Sequence, residues 1–298
     1  MRLVGKIIIF SVGVLFLFNQ SLPGEKISFR ISYNTVSFPE SDIDSWISSY
    51  NQMWKDWAAQ KGGSTSGEFS PLNYSPTIEL GINIPIFSGL SLCLSGSKFS
   101  SQAEGQVFYS NQAQTQEEKH YIENKISGYP FKIGFQYSYI LPFQEKIGVL
   151  AGIGRHLIFI KYQTKEDYDA RFDVLGKEFV YWFEKENTYN SEALGFYFNG
   201  GVEYSPIKYI TFIAGFEQVW NKIDGFKGPF SYKDYSGEEE SGKASLYYFE
   251  SNQWGLNQYY QVLDGRESRP EEPTIRNVRQ GQFDFSGFSF KIGFRLNF

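Results

Sequence analysis

From Phe288 to Phe298 every second residue is large and apolar: Phe288, Phe290, Ile292, Phe294, Leu296 and Phe298. Ser289, Lys291, Gly293, Arg295 and Asn297 fill the gaps. Successive side chains of a strand point to opposite faces, so this spacing predicts a strand with one bulky apolar face and one small or charged face. The same period recurs seven times upstream. Ile27, Phe29, Ile31 and Tyr33 mark a first strand, and Ile78, Leu80, Ile82, Ile84 and Ile86 a second. Leu90, Leu92 and Leu94 follow a Ser88-Gly89 turn, and the run Tyr129 to Leu141 makes a fourth strand. A fifth begins Ile147, Val149, Ala151, Ile153, then loses a clean period near Arg155-His156, where a bulge is expected. Leu194 to Tyr204 and Ile210 to Phe216 are the sixth and seventh, joined at Ser205-Pro206.

The links between these strands alternate strictly. Links two to three, four to five and six to seven are a few residues long. Links one to two (38–73), three to four (100–125), five to six (163–191) and seven to eight (222–282) are long. All short turns then lie at one end and all long loops at the other. The expected fold is all-β: an eight-stranded antiparallel up-and-down transmembrane β-barrel with short periplasmic turns and long extracellular loops. Eight is even, so both termini fall at the short-turn end.

The last strand resembles the closing strand of bacterial outer-membrane β-barrels, which typically ends on Phe with apolar residues alternating back from it. On that resemblance Phe290, Ile292, Phe294, Leu296 and Phe298 would be the C-terminal signal read by the barrel-assembly machinery. The layout as a whole is similar to the small barrels of the OmpA/OmpX type, the outer membrane protein W family and the opacity-type proteins. No family-specific active motif carries over.

Alternation gives two faces but no inside. A secreted lipocalin-type barrel would turn the apolar face inward around a ligand. Three features favour the membrane. The opposite face is rich in Gly and Ser, among them Gly81, Gly134, Gly195, Gly201 and Gly293, which suits a narrow interior. Phe87, Phe143, Tyr204, Tyr209 and Phe298 sit near the short-turn ends, where an interfacial girdle would lie. The terminal Phe is the third. With that orientation Arg30, Glu79, Lys132, Glu203, Glu217, Lys291 and Arg295 point into the lumen. Arg30, Glu203 and Arg295 are expected as a low layer and the other four near or above mid-height, with Glu217 and Lys291 paired across strands. Such a set is either a charged constriction or a group of ion pairs that plugs the core. The interior of an eight-stranded barrel is only just wide enough for its own side chains, which favours the plug.

In the first long loop, Ser41-Asp-Ile-Asp44 has the form of a capping box, and Ile43, Trp46, Ile47, Tyr50, Trp54 and Trp57 recur at helical spacing before Gly62-Gly63. An amphipathic helix with an aromatic face is expected there. It would lie on the membrane interface, cover the barrel mouth or bind a surface ligand. The fourth loop holds Tyr247-Tyr-Phe249, Trp254 and Tyr259-Tyr260 after the acidic Glu238-Glu-Glu240. Trp46, Trp54, Trp57 and Trp254 are its and the first loop's candidate contact aromatics, although packing against neighbouring loops is the simpler role.

Composition adds bounds. Arg2 and Lys6 open the chain before the apolar run Ile7 to Phe18 and the polar Asn19 to Gly24. That is the form of a secretory signal peptide, residues 1–24, cleaved after Ser21 or Gly24 and too short in its apolar run for a membrane-spanning helix. Residues 25–298 would form the barrel domain, with no peptidoglycan-binding domain after it. Without Arg2 and Lys6 the net charge moves from -5 to -7, which argues against nucleic acid as a partner. The expected surroundings are outer-membrane lipid and lipopolysaccharide, with any extracellular ligand unknown. A single Cys93 excludes an intramolecular disulfide. Neither His120 nor His156 stands in a Ser/His/acid or metal-ligand spacing. No catalytic residue, metal or cofactor is therefore expected; a lipid-modifying barrel enzyme is the remote alternative, with His156 its candidate. Two functions stay open: a plugged barrel for structure or surface display, and a passive conduit for small or amphipathic solutes.

Overall fold

The structure, a computed structural model, describes residues 27–37, 41–72, 76–111, 115–252, 255–256 and 258–298. The expected signal peptide and Trp254 lie outside the described residues. In chain order the elements are β1 (Ser28–Ser37), α1 (Asp42–Lys61), β2 (Gly63–Ser66), β3 (Thr77–Phe87), β4 (Leu90–Ser97), β5 (Phe99–Asn111), β6 (Gln116–Leu141) and β7 (Gln144–Val174). There follow β8 (Lys177–Ile207), β9 (Ile210–Trp220), β10 (Lys222–Ile223), β11 (Lys227–Asp234), β12 (Glu239–Ser251), β13 (Tyr260–Arg266), β14 (Ile275–Gln280), β15 (Phe283–Asp284) and β16 (Gly287–Asn297).

Eight of these close a ring of antiparallel pairs: β1 with β3, then β4, β6, β7, β8, β9 and β16, which returns to β1. Closure leaves no edge whose backbone groups would face hydrocarbon unpaired. The apolar face points outward. Leu80 is 59% exposed, Ile153 62%, Phe290 64% and Ile292 68%, while Glu79, Asn199 and Glu217 on the other face are buried. This orientation excludes the lipocalin arrangement. Phe87, Phe143, Tyr204, Tyr209 and Phe298 are all exposed at the short-turn end, with Phe298 edge-on to Phe29 at 5.8 Å.

The barrel does not stop at the membrane. β7 and β8 are 31 residues each, about 100 Å at the usual rise per residue, against an apolar belt about 25 Å tall. They meet at a two-residue turn, Leu175-Gly176, with both residues at positive φ. The links expected as loops at 100–125 and 163–191 are thus mostly strand. Above the membrane neither face meets lipid, so the apolar-out period that marks the lower strands lapses while the pairing continues. Outside the membrane the sheet runs β13, β12, β11, β8, β7, β6, β5, β2. The bulge expected at Arg155-His156 is absent: His156 pairs Lys132, Arg155 pairs Ile133, and both continue onto β8 without a shift. What changes there is the inward row of β7, which passes from Gly148, Leu150, Gly152 and Gly154 to buried Ile158, Ile160 and Tyr162.

Helix α1 packs on this upper sheet. Ser41 caps it, its hydroxyl accepting from Asp44 N while Asp44 accepts from Ser41 N at 3.1 Å, and Gly62 ends it in the left-handed conformation at φ 69°. Ile43, Trp46, Ile47 and Trp54 are buried, each contributing about 1.5–3 kcal/mol of apolar burial. Trp57 meets Tyr109 of β5 at 4.4 Å between centroids. Of the roles open to this helix, the structure shows it covering its own extracellular sheet.

Candidate functional site

The lumen is crossed by an ion lattice. Glu79 Oε1 accepts from Arg30 Nη2 at 3.0 Å and from Lys291 Nζ at 3.1 Å, and Glu79 Oε2 accepts from Lys132 Nζ at 2.5 Å. Lys132 also donates to Glu217 Oε1, and Lys291 donates to Glu217 Oε2 at 2.6 Å. Two lysines and two carboxylates thus alternate around a square, with Arg30 attached at one corner. Below it Arg295 holds Glu203 through both Nη atoms, at 2.8 and 3.1 Å. All seven residues singled out in the sequence point inward, and Glu217 and Lys291 are paired. Arg30 departs from its expected layer. Its register partner is Arg295, but its long side chain turns away from that like charge to Glu79 and to Gln136 Oε1 at 3.3 Å.

The space around the lattice is filled. Gly134 faces inward, and a Cβ there would stand 2.5 Å from Tyr197 Oη, so its bareness lets the buried Tyr197 lie across the interior. Above the lattice comes an apolar lid. β15 pairs with β10 and turns Phe283 and Phe285 into the barrel mouth. Phe285 meets Phe99 at 5.6 Å, Phe283 meets Phe226 at 4.5 Å and Tyr162 at 5.0 Å, and Ile126, Ile158 and Ile160 close the remainder. A cavity of about 50 Å³, bounded by Lys132, His156, Glu217 and Phe285, lies between lattice and lid. That is room for a few waters and not for a solute path. His156 is buried at its edge, with Asn221 Nδ2 3.1 Å from its Nδ1 and donating to its backbone oxygen at 3.0 Å.

A second site lies outside the membrane. Between α1 and strands β8, β11, β12 and β13 opens a cleft of about 520 Å³, lined by Trp46, Tyr50, Phe183, Phe230, Tyr232 and Phe249 together with Glu166, Lys185, Glu240, Asp264, Arg266 and Glu267. At one wall His120 sits in an aromatic box of Tyr50, Phe69 and Tyr168, each 5.6 Å away. Its Nε2 is 2.8 Å from Glu166 Oε1 and its Nδ1 is 3.2 Å from Tyr50 Oη. Burial works to raise the Glu166 carboxyl, but the hydrogen bond and charge of His120 outweigh it and hold it below its ordinary value. Burial and the nearby Glu166 charge push the Tyr50 hydroxyl well above the ordinary tyrosine value. At the floor, Asp264 takes Lys185 at 2.5 Å and Arg266 Nε at 2.7 Å. Against the opposing effect of burial, these cations hold Asp264 low and Asp264 holds Lys185 high.

Sequence spacing gave no hint of this cluster. Tyr50, His120, Glu166 and Asp264 come from four segments, united by the pairing of β6 with β7, the docking of α1 and the sheet that carries β13 to β8 through β12 and β11. The expected loop aromatics divide: Trp46 lines the cleft, while Trp54 and Trp57 pack on the sheet.

No family model matches the chain, and no curated protein matches it in sequence. Among solved structures the chain is similar, at low identity, to several outer-membrane proteins. The outer membrane protein OprG from Pseudomonas aeruginosa is 13% identical, with 93% of this chain and 99% of that one covered at a TM-score of 0.41. Neisserial surface protein A is 9% identical over 91% and 97% at 0.31, and the outer membrane protease OmpT from Escherichia coli 11% identical over 94% and 99% at 0.31. Similarity at this level says nothing of activity. The closed ring and its lipid-facing belt speak for themselves: this is an integral outer-membrane β-barrel protein.

Proposed function

We propose that the protein is a sealed, non-enzymatic barrel that holds an extracellular sheet at the cell surface. The lattice around Lys132 and Lys291 carries this reading, because its buried charges are satisfied by one another and the apolar lid shuts the mouth above them. The extracellular half is built as a second packed core of strands, with α1 against it, which suits display. His120 has both ring nitrogens engaged, by Glu166 and by Tyr50, which supports the non-enzymatic reading. The test is conductance of the full chain refolded into planar phospholipid bilayers. Silence is expected. Ohmic steps that change with Lys132→Gln or Glu217→Gln would overturn the proposal.

The conduit reading keeps one foothold. β6 leaves β4 after Gly96↔Phe131 and joins β5 from Phe99↔Gly128, so Tyr129 and Pro130 have no register partner on that side. Pro130 has no N–H to donate, and the small cavity reaches it. Solute uptake by liposomes in the absence of electrical conductance would favour a sideways route there.

A further inference from the structure

The extracellular cleft is walled by aromatic rings, and two of them stand beside carboxylates in a repeated arrangement. Tyr232 of β11 is the register partner of Glu240 on β12, so both point to the same face. Two residues along, Phe230 partners Gly242. A Cβ on Gly242 would lie 2.7 Å from Glu267 Oε1 and 2.8 Å from Phe230 Cε1, so the Glu267 carboxylate and the Phe230 ring edge converge over that bare glycine. The cleft therefore offers two ring-and-carboxylate pairs, one turn of the pleat apart.

The charges nearby separate into two groups. Asp264 is neutralised by Lys185 and Arg266, and Glu166 is engaged by His120. Glu240 and Glu267 have no ion-pair partner among the described residues, so the cleft keeps an uncompensated negative charge at its mouth. The neighbouring Glu239 is matched by Lys233 at 2.8 Å, on the other face of the sheet. The cleft also holds one cation of its own near a ring, the Arg266 guanidinium 6.0 Å from the Phe249 centroid. Aromatic faces attract cations through the ring quadrupole, and a flanking carboxylate adds direct charge attraction. A volume of about 520 Å³ is in the range of small-molecule sites.

We propose that this cleft binds a small organic cation with an apolar body, an amine or quaternary ammonium whose charge sits between Glu240 and Glu267 and whose body lies on Phe230 and Tyr232. The proposal does not depend on whether the lumen conducts.

Isothermal titration of the full chain, refolded in detergent, with benzyltrimethylammonium tests it. Phenylacetate and benzyl alcohol serve as the anionic and neutral counterparts. Saturable binding of the cation at one per chain is expected, without binding of the other two. The double variant Glu240→Gln/Glu267→Gln should weaken it about ten-fold, and Tyr232→Leu should do so to a similar degree. A heat-modifiable gel shift of each variant shows that the barrel is intact. No saturable binding of the cation, equal binding of benzyl alcohol, or full affinity in the double variant would overturn the proposal. Binding of an N-acetylglucosamine oligomer in place of the cation would assign the rings to a sugar and overturn it equally.

Discussion

Arg279 grips Asp42 with both terminal guanidinium nitrogens, Nη1 to Oδ2 at 2.6 Å and Nη2 to Oδ1 at 2.5 Å. One residue opens α1 and the other lies in β14, so the bridge ties the first long link to the fourth. Asp42 Oδ2 also accepts from Gln282 N at 2.6 Å, and the Arg279 guanidinium lies 4.2 Å from the Tyr248 ring. Half-exposed Arg279 makes the bridge modest, about 1 kcal/mol. Arg279→Ala should leave the barrel unchanged and raise amide exchange in the first turns of α1. Exchange confined to other segments would mean that the helix is held by its apolar face alone.

Glu79 serves three cations at once. Glu79→Gln would leave Arg30, Lys132 and Lys291 to Glu217, an uncompensated buried charge that costs roughly 3–5 kcal/mol. The urea midpoint of the refolded barrel should fall accordingly. Glu203→Gln frees only the partly exposed Arg295 and should cost less. Equal losses from the two variants would show that the lattice is no more demanding than the lower pair.

Lid and lattice seal the lumen in series. Phe285→Ala opens the lid, yet the lattice beneath it remains, so the variant should stay silent in planar bilayers. Phe285→Ala combined with Lys132→Ala should pass ions. Conductance from the single variant would place the whole barrier in the lid.

The extracellular cluster sets a pH window for the outer core. The folded Glu166 and Asp264 carboxyls lie below their ordinary values, so the stability they supply is present above the unfolded carboxyl pKa and is lost as pH falls through the lowered folded values. Folded Lys185 is raised, so its contribution is full below the unfolded lysine pKa and fades as pH climbs through the folded one. Fluorescence of Trp46 and its neighbours should therefore hold steady at neutral pH and change on strong acidification, before the barrel itself unfolds. In Asp264→Asn the acid change should shrink.

The transmembrane half was legible because lipid favours apolar side chains at the outward positions of the lower strands, which prints a two-residue period on the chain. Helix α1 was legible from its cap and its spacing. The upper strands were hidden, since residues such as Glu166, Asp167, Tyr168 and Asp169 lie above the bilayer where both faces tolerate polar groups. Arg30 shows a further limit. Register sets the height of a Cα, but a long side chain chooses its layer by charge, and Glu79 outcompeted the like-charged Arg295. The cleft needed residues from α1 and five strands, a juxtaposition that no spacing along one segment encodes.

The placement of the cations on β16 bears on biogenesis. Lys291 and Arg295 both lie on β16, which closes the ring against β1 and β9, and Arg295 is the one ion-pair partner of Glu203 among the described residues. While that segment is unzipped from its two neighbours, Glu203 faces inward unanswered and Glu217 has Lys132 alone. Docking β16 therefore neutralises the half-made interior in the same motion that pairs it with β1 and β9, so the seam is latched from within by electrostatics as well as along its backbone.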